Sequence, residues 1–196
     1  SQRSNNDKII PSYVIAKIKR SKIDLNRPKN RAYVEDSRLA RRIYKRYHKT
    51  LRRIIKKNIK KFGYSLLLDV HGFEKGKRPK GFRNVELVLG TNNLSSLYSE
   101  HPPKKDWDKN IRGKLIQKFL KLNVPIAPGL PKRREYVLTG GYITRRFGAS
   151  QFPKSQAIQI EFSDRIRIYD WKLKESVVDA VAGAFLEELI ENAHEQ

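Results

Sequence analysis

Two side chains that could perform acid–base or metal chemistry lie at the end of an apolar run. Residues 65–70 read as a buried strand, with Asp69 in it and His71 directly after it. Glu161 stands in a second short run, residues 157–162, that also predicts a strand. The histidine could pair with the acid as a satisfied hydrogen bond of the core. Alternatively, Asp69 and Glu161 could bind Mg²⁺, although the chain shows no dense acidic cluster.

Several kinds of chemistry are excluded by composition. The chain has 196 residues and no cysteine, which excludes disulfides, thiolate zinc sites and cysteine nucleophiles. Of the four histidines, His48 falls on a predicted helix beside apolar neighbours, which favours a structural role, and His101 precedes two prolines in a loop. The absence of cysteine beside abundant Lys, Arg and Glu is typical of thermophilic proteins.

No apolar run approaches 18 residues and the N-terminus is polar, so we expect a cytoplasmic protein with no membrane contact. Ser1 is the kind of small residue that remains after an initiator methionine is removed, so we expect a natural N-terminus.

The net charge of +23 comes from 43 Lys and Arg against 20 Asp and Glu. The excess is concentrated in a predicted helix over residues 36–62, capped by Asp36 or Ser37 and ended by Gly63. Its apolar positions recur at helical spacing, and no acid interrupts its other face. Like charges four residues apart each cost ~0.2–0.5 kcal/mol, a cost that a bound phosphate backbone would reverse. The predicted RNA-binding cations of this helix are Arg38, Arg41, Arg42, Lys45, Arg46, Lys49, Arg52, Arg53, Lys56, Lys57, Lys60 and Lys61.

A second basic cluster lies in a predicted loop over residues 75–83, where glycines and phenylalanines alternate with cations. Such a loop can contact a phosphate backbone and stack on bases. Its predicted RNA-binding residues are Lys75, Lys77, Arg78, Lys80 and Arg83.

The elements that position these residues alternate between strand and helix. We predict a polar extension over residues 1–11 and one α/β domain over 12–196, with a central mixed sheet flanked by helices. Further strands are predicted at residues 13–19, 85–89 and 136–138. Further helices are predicted at 107–122, capped by Asp106 or Asp108, and at 174–192.

Six short motifs, in order along residues 12–163, resemble the N-formylglutamate amidohydrolase family. They are Ile23-Asp24-Leu25-Asn26-Arg27-Pro28, Tyr47-His48, Leu68-Asp69-Val70-His71-Gly72, Leu89-Gly90-Thr91, Gly140-Gly141-Tyr142-Ile143-Thr144-Arg145 and Gln159-Ile160-Glu161. The resemblance implies a fold similar to zinc exopeptidases, of the phosphorylase-hydrolase-like kind.

The resemblance also implies roles for single residues. His71 would be a zinc ligand, Asp69 its orienting carboxylate and Glu161 a carboxylate of the later strand, while Arg27 and Arg145 would hold an acidic substrate. A hydrolytic zinc takes about three protein ligands and one water.

The sequence departs from the family at two places. The family begins with a Pro-His-Ser/Ala-Gly segment that supplies another zinc ligand, and no histidine of this chain lies in such a segment. Where members often have a histidine after the Arg of the Gly-Gly-Tyr motif, this chain has Arg146-Phe147. We therefore expect a degenerate scaffold without a metal cofactor and without catalytic residues.

The leading hypothesis from the sequence is a non-catalytic RNA-binding protein, with rRNA and neighbouring ribosomal proteins as partners. The alternative is a metal-dependent amidohydrolase, with zinc as cofactor, acting on an acidic N-acyl substrate. A third possibility is a DNA-compacting protein or nuclease. Retained zinc would favour the amidohydrolase.

Overall fold

A computed structural model describes residues 10–78 and 84–194. Across these two ranges, no helix is both long enough and apolar enough to cross a membrane. Two predictions fall outside the described residues. They concern residues 1–9 of the polar extension and the RNA-binding residues Lys80 and Arg83.

The described elements alternate between helix and strand for most of the chain. The helices are α1 (Lys29–Ala32), α2 (Arg38–Phe62), α3 (Ile111–Lys121), α4 (Tyr142–Phe147) and α5 (Trp171–His194). The strands are β1 (Ser65–Phe73), β2 (Leu87–Gly90), β3 (Ile126–Ala127) and β4 (Ser155–Ser163).

The four strands form one mixed sheet in the order β1-β4-β2-β3. β1 runs parallel to β4, β2 runs antiparallel to β4, and β3 runs parallel to β2. Helices cover both faces. Leu66 and Leu68 of β1 belong to the core that α3 and α5 complete, whereas Leu67 packs with residues of α2 and α4. The predicted α/β fold with a mixed sheet flanked by helices is confirmed.

Helix α2 begins and ends where its capping residues predict. The Ser37 hydroxyl accepts a hydrogen bond from the Ala40 N–H at 3.2 Å, and Gly63 ends the helix with φ 79°. Leu39 and Phe62, which the helical spacing assigned to the buried face, are instead more than half exposed. Both lie at the ends of the helix, where the sheet no longer covers it.

Two predicted strands are absent from the described residues. Residues 13–19 and 136–138 are irregular, because β-formers make a strand only where a neighbouring strand accepts their hydrogen bonds. The helix predicted over 107–122 begins later, at Ile111. Asn110 rather than Asp106 or Asp108 caps it by accepting a bond from the Gly113 N–H at 3.1 Å.

A buried ion pair fixes the loop that follows β2. Arg112 of α3 lies 3.2 Å from Glu135, and both side chains are almost fully buried. The same carboxylate accepts the backbone N–H groups of Thr91 and Asn93 at 2.8 and 2.9 Å. Burial raises the pKa of Glu135, while the hydrogen bonds from Thr91 and Asn93 and the charge of Arg112 act to lower it. The loop after β2 and the segment around Glu135 are therefore held together by one carboxylate.

Arg112→Met should destabilise the protein by about 3–5 kcal/mol, because it leaves the buried Glu135 carboxylate without its cation. The free energy of unfolding in urea, measured at pH 7, tests this. The double variant Arg112→Met with Glu135→Gln should recover part of the loss. A single variant as stable as the wild type would contradict the role given to this pair.

Candidate functional site

The site lies toward the carboxyl ends of β1 and β4. The parallel register pairs Asp69 with Gln159 and His71 with Glu161. Residues two apart on a strand point to the same face, so all four side chains share the face that α2 and α4 cover. The sequence prediction placed His71 directly after the strand. β1 instead continues to Phe73, so His71 lies inside it.

The centre of the site is a hydrogen-bonded group of three side chains. His71 Nε2 lies 3.0 Å from Asp69 Oδ1, and the Asn26 side-chain nitrogen lies 3.1 Å from the same Nε2. Because a carboxylate oxygen only accepts hydrogen bonds, we assign a proton to Nε2, which donates it to Asp69. The Asn26 nitrogen is also a donor, so its approach to Nε2 is a contact and not a second hydrogen bond. The Asn26 nitrogen donates to the other Asp69 oxygen, Oδ2, at 3.4 Å. In this tautomer Nδ1 of His71 carries a free electron pair.

The environment of His71 makes its ring more basic. Partial burial acts to lower the pKa of His71, but the hydrogen bond that the ring donates to Asp69 and the negative charges of Asp69 and Glu161 outweigh it, and the pKa is raised. Burial and the charge of Asp69 also raise the pKa of Tyr47, on α2, to about 12, so its hydroxyl stays protonated.

Asn26 is held in place by the loop at residues 24–27 and by α4. Its side-chain oxygen accepts the Ile143 N–H at 2.8 Å, at the start of α4. From α2, the Tyr44 hydroxyl donates to the Arg27 carbonyl at 2.9 Å. A Cβ on Gly141 would stand 2.2 Å from the Asn26 side chain, so this close approach requires glycine. The site is therefore positioned jointly by β1, α2 and α4.

His48 also holds the loop at residues 24–27 in place. Its Nε2 donates to the Leu25 carbonyl at 3.1 Å, and the ring lies 4.3 Å from the ring of Tyr44, between centroids. Burial and the charge of Arg146 lower the pKa of His48 to about 4, so the ring is neutral at pH 7. The predicted structural role of His48 agrees with these contacts.

Glu161 is held by two neighbours. Arg78 donates to its Oε2 in a short bond, and the Gln159 side-chain nitrogen donates to its Oε1 at 3.1 Å. The Arg78 guanidinium also stacks over the Phe73 ring at 4.1 Å. Glu161 thus shares the site with His71 but has a cation of its own.

The other residues singled out in the sequence lie further from the centre. Arg27 pairs with Asp24 at 3.4 Å, and the exposed Arg145 donates to the Thr139 hydroxyl at 3.0 Å. All twelve cations predicted on α2 are exposed. In contrast, Lys75 binds the buried Glu86 at 2.5 Å.

The sequence analysis gave no role in the site to Asn26 or Gln159, and it predicted Arg78 as an RNA-binding residue. Asn26 and Gln159 each lie within one of the six motifs that carry the family resemblance, so the motifs contained the signal. The pairing of Arg78 with Glu161 spans 83 positions and has no local signature.

The residues present do not fit a hydrolytic zinc. In the described ranges 10–78 and 84–194, no three His, Cys, Asp or Glu side chains gather closely enough to hold a metal ion. Of the carboxylates near His71, Glu161 is already paired with Arg78 and Asp69 with His71.

Acid should destabilise the protein through His48. The folded-state pKa of His48 is about 4 and the ordinary value is ~6.5, so between these two pH values the unfolded chain binds a proton that the folded chain does not bind. The free energy of unfolding should fall by about 2–4 kcal/mol between pH 6.5 and pH 4 through this group. In His48→Phe, the free energy of unfolding, measured in urea at each pH, should lose this part of its pH dependence. An equal pH dependence of the free energy of unfolding in both proteins would contradict this role of His48.

Asp69→Asn should lower the pKa of His71, because it removes the carboxylate that raises it and leaves the burial that lowers it. In the wild type, the stabilisation from His71 is complete below ~6.5 and is lost as the pH rises through the raised folded-state pKa. An NMR titration of the ring measures the shift directly. Asn26→Ala is the comparison, since it removes a neighbour but no charge. An unchanged pKa in Asp69→Asn would refute the pairing.

Comparison with known proteins gives two findings. The family model of N-formylglutamate amidohydrolase matches residues 31–167. The chain is also similar to the crystal structure of N-formylglutamate amidohydrolase from Ralstonia eutropha JMP134, with 15% identity and a TM-score of 0.44. That match covers 77% of this chain and 52% of the other, so the chain spans about half of that protein's length. No curated protein matches the chain.

These findings correct the leading hypothesis from the sequence. The prediction of an RNA-binding ribosomal protein is wrong, since the matched region contains all of α2 and belongs to a family of amidohydrolases. The physical reason is that a solvated helix face can carry many cations without specifying a partner. In addition, Lys75 and Arg78 of the basic loop are engaged in internal ion pairs. Because the family model matches well over half of its residues, this chain belongs to the N-formylglutamate amidohydrolase family.

Proposed function

We propose that this chain hydrolyses the amide bond of a small acidic N-acyl compound, with His71 as general base. The observation that carries the proposal is the Asp69–His71 pair, with Nε2 of His71 3.0 Å from the Asp69 carboxylate and Glu161 beside it. In open α/β sheets, ligands bind outside the carboxyl ends of the strands, and this pair lies near that end of β1. Family membership supports the same class of reaction.

The pair supports a direct proton transfer. Asp69 holds the Nε2 proton, so Nδ1 is the nitrogen that accepts a proton from a water molecule. The resulting hydroxide attacks the acyl carbonyl, and Asp69 stabilises the imidazolium by its charge. When the tetrahedral intermediate collapses, the C–N bond breaks and the imidazolium returns its proton to the leaving nitrogen. The products are a carboxylate and an amine.

Cations around the loop at residues 24–27 favour an acidic substrate. The side chains of Arg20 and Arg27 are more than half exposed, and both contact Asp24 rather than the centre of the site. The net charge of +23 adds a long-range attraction for anions. Arg145 is a further candidate for the substrate carboxylate, in line with its motif.

Release of amine from N-formylglutamate and N-acetylglutamate by the purified chain tests the proposal. His71→Gln and Asp69→Asn should each reduce kcat by about 10²–10⁴-fold, the usual contribution of a positioned base. His101→Gln is the matched control, since it changes an exposed histidine in a loop away from the site.

Activity should persist in a chelator, because the proposed base needs no metal. Activity that chelator abolishes and zinc restores would overturn the mechanism and favour a metal-dependent hydrolase. Absence of turnover in the wild type, at saturating substrate with and without zinc, would overturn the proposed function.

A further inference from the structure

β1 is an edge strand with an open side. It lies at the end of the sheet order and pairs only with β4 along Ser65–Phe73. Within the described part of the chain, no other backbone–backbone hydrogen bond reaches residues 66–72. An edge of this kind presents a row of N–H and C=O groups that can accept another strand.

A large groove follows this open edge. Its volume is about 1210 Å³, above the ~300–1,000 Å³ of pockets that enclose a small ligand. It is lined by Leu67 and Asp69 from one face of β1 and by Leu66 and Leu68 from the other, so it wraps around the edge of the strand.

Helices form the two walls of the groove. Leu51, Ile54 and Ile55 of α2 line one side, and Val181, Phe185 and Leu189 of α5 line the other. The α5 wall includes a stripe at four-residue spacing, Val178, Ala182 and Leu186, that is exposed. Val178 and Leu186 are 55% and 48% exposed, so this apolar stripe has little cover among the described residues.

One end of the groove reaches the proposed catalytic pair. Asn26, Asp69 and His71 line it there, together with Arg20. Arg20 is the cation that lines this end, and its guanidinium bonds to Asp24, which also lines the groove, at 2.8 Å. The groove is thus apolar along β1 and polar near His71, where the exposed Arg20 is within the lining to meet a carboxylate, a distribution that complements a chain with an apolar body and an acidic end.

We infer that the groove binds an extended peptide as an added strand on the edge of β1, with the acidic end of the peptide near His71. The inference rests on the proposed function for the reaction and extends its acidic N-acyl substrates to those whose acyl part is a peptide. An added strand hydrogen-bonds to the N–H and C=O groups of β1, and its alternate side chains contact the α2 and α5 walls. A fatty acyl chain would fill the same walls but leave the backbone groups of β1 without partners.

Binding of a fluorescent eight-residue peptide, alternating Val and Thr and ending in two Glu residues, tests the inference by polarisation in the full chain. We expect binding in the micromolar range. N-methylation of alternate peptide nitrogens should weaken binding roughly tenfold or more, because it removes the backbone donors that β-strand addition uses.

Two variants on α5 form a matched pair. Val178→Asp places a charge on the wall of the groove and should weaken binding roughly tenfold. Ile190→Asp changes an equally exposed residue of the same helix that does not line the groove, and should leave binding within about twofold. Both positions are exposed, so both variants should fold, as circular dichroism will verify.

Three outcomes would overturn the inference. The first is equal affinity for the N-methylated peptide, and the second is no binding at millimolar peptide. The second would indicate that residues 11–16 and 18, which also line the groove, close it themselves. The third is tighter binding of N-dodecanoylglutamate, which would assign the groove to acyl chains.

The inference and the proposed function can fail separately. Peptide binding without hydrolysis of any acidic amide would overturn the proposed function alone. Hydrolysis of N-formylglutamate without peptide binding would overturn this inference alone.

Discussion

The parallel pairing of β1 with β4 is the constraint on which the rest of the site depends. Its register runs for nine residues and places His71 beside Glu161 and Asp69 beside Gln159. A slip of one residue would turn every one of these side chains to the opposite face, into the core of α3 and α5. Leu66, Leu68, Ile158 and Ile160 prevent that slip, because they would then leave the core that they fill.

Several acidic side chains of this protein are buried in contact with cations. Glu86 and Glu135 are buried against cations, and Glu188 of α5 binds Lys114 of α3 at 2.5 Å. The twelve cations of α2, by comparison, form no ion pair with any residue that the structure describes. The positive potential therefore lies on the surface, where it raises the local concentration of anions.

Local signals predicted the framework of the fold, and long-range contacts determined the site. Ser37 and Gly63 bound α2 because capping depends on neighbours within four residues. Residues 13–19 have the composition of a strand but no hydrogen-bonding partner, which only the tertiary structure could reveal. Asn26 joins His71 across 45 positions and Arg112 joins Glu135 across 23, so neither contact has a local pattern.

The same edge of β1 links binding to chemistry. A catalytic base acts only when the bond to be broken is held within hydrogen-bond reach of it, and a strand aligned on β1 would be held by bonds at fixed intervals up to His71. The positioning of the substrate would then come from the backbone of β1 and the choice of substrate from the α2 and α5 walls. The loop at residues 24–27, fixed by His48 and Tyr44, completes this arrangement by placing Asn26 where the groove meets the Asp69–His71 pair.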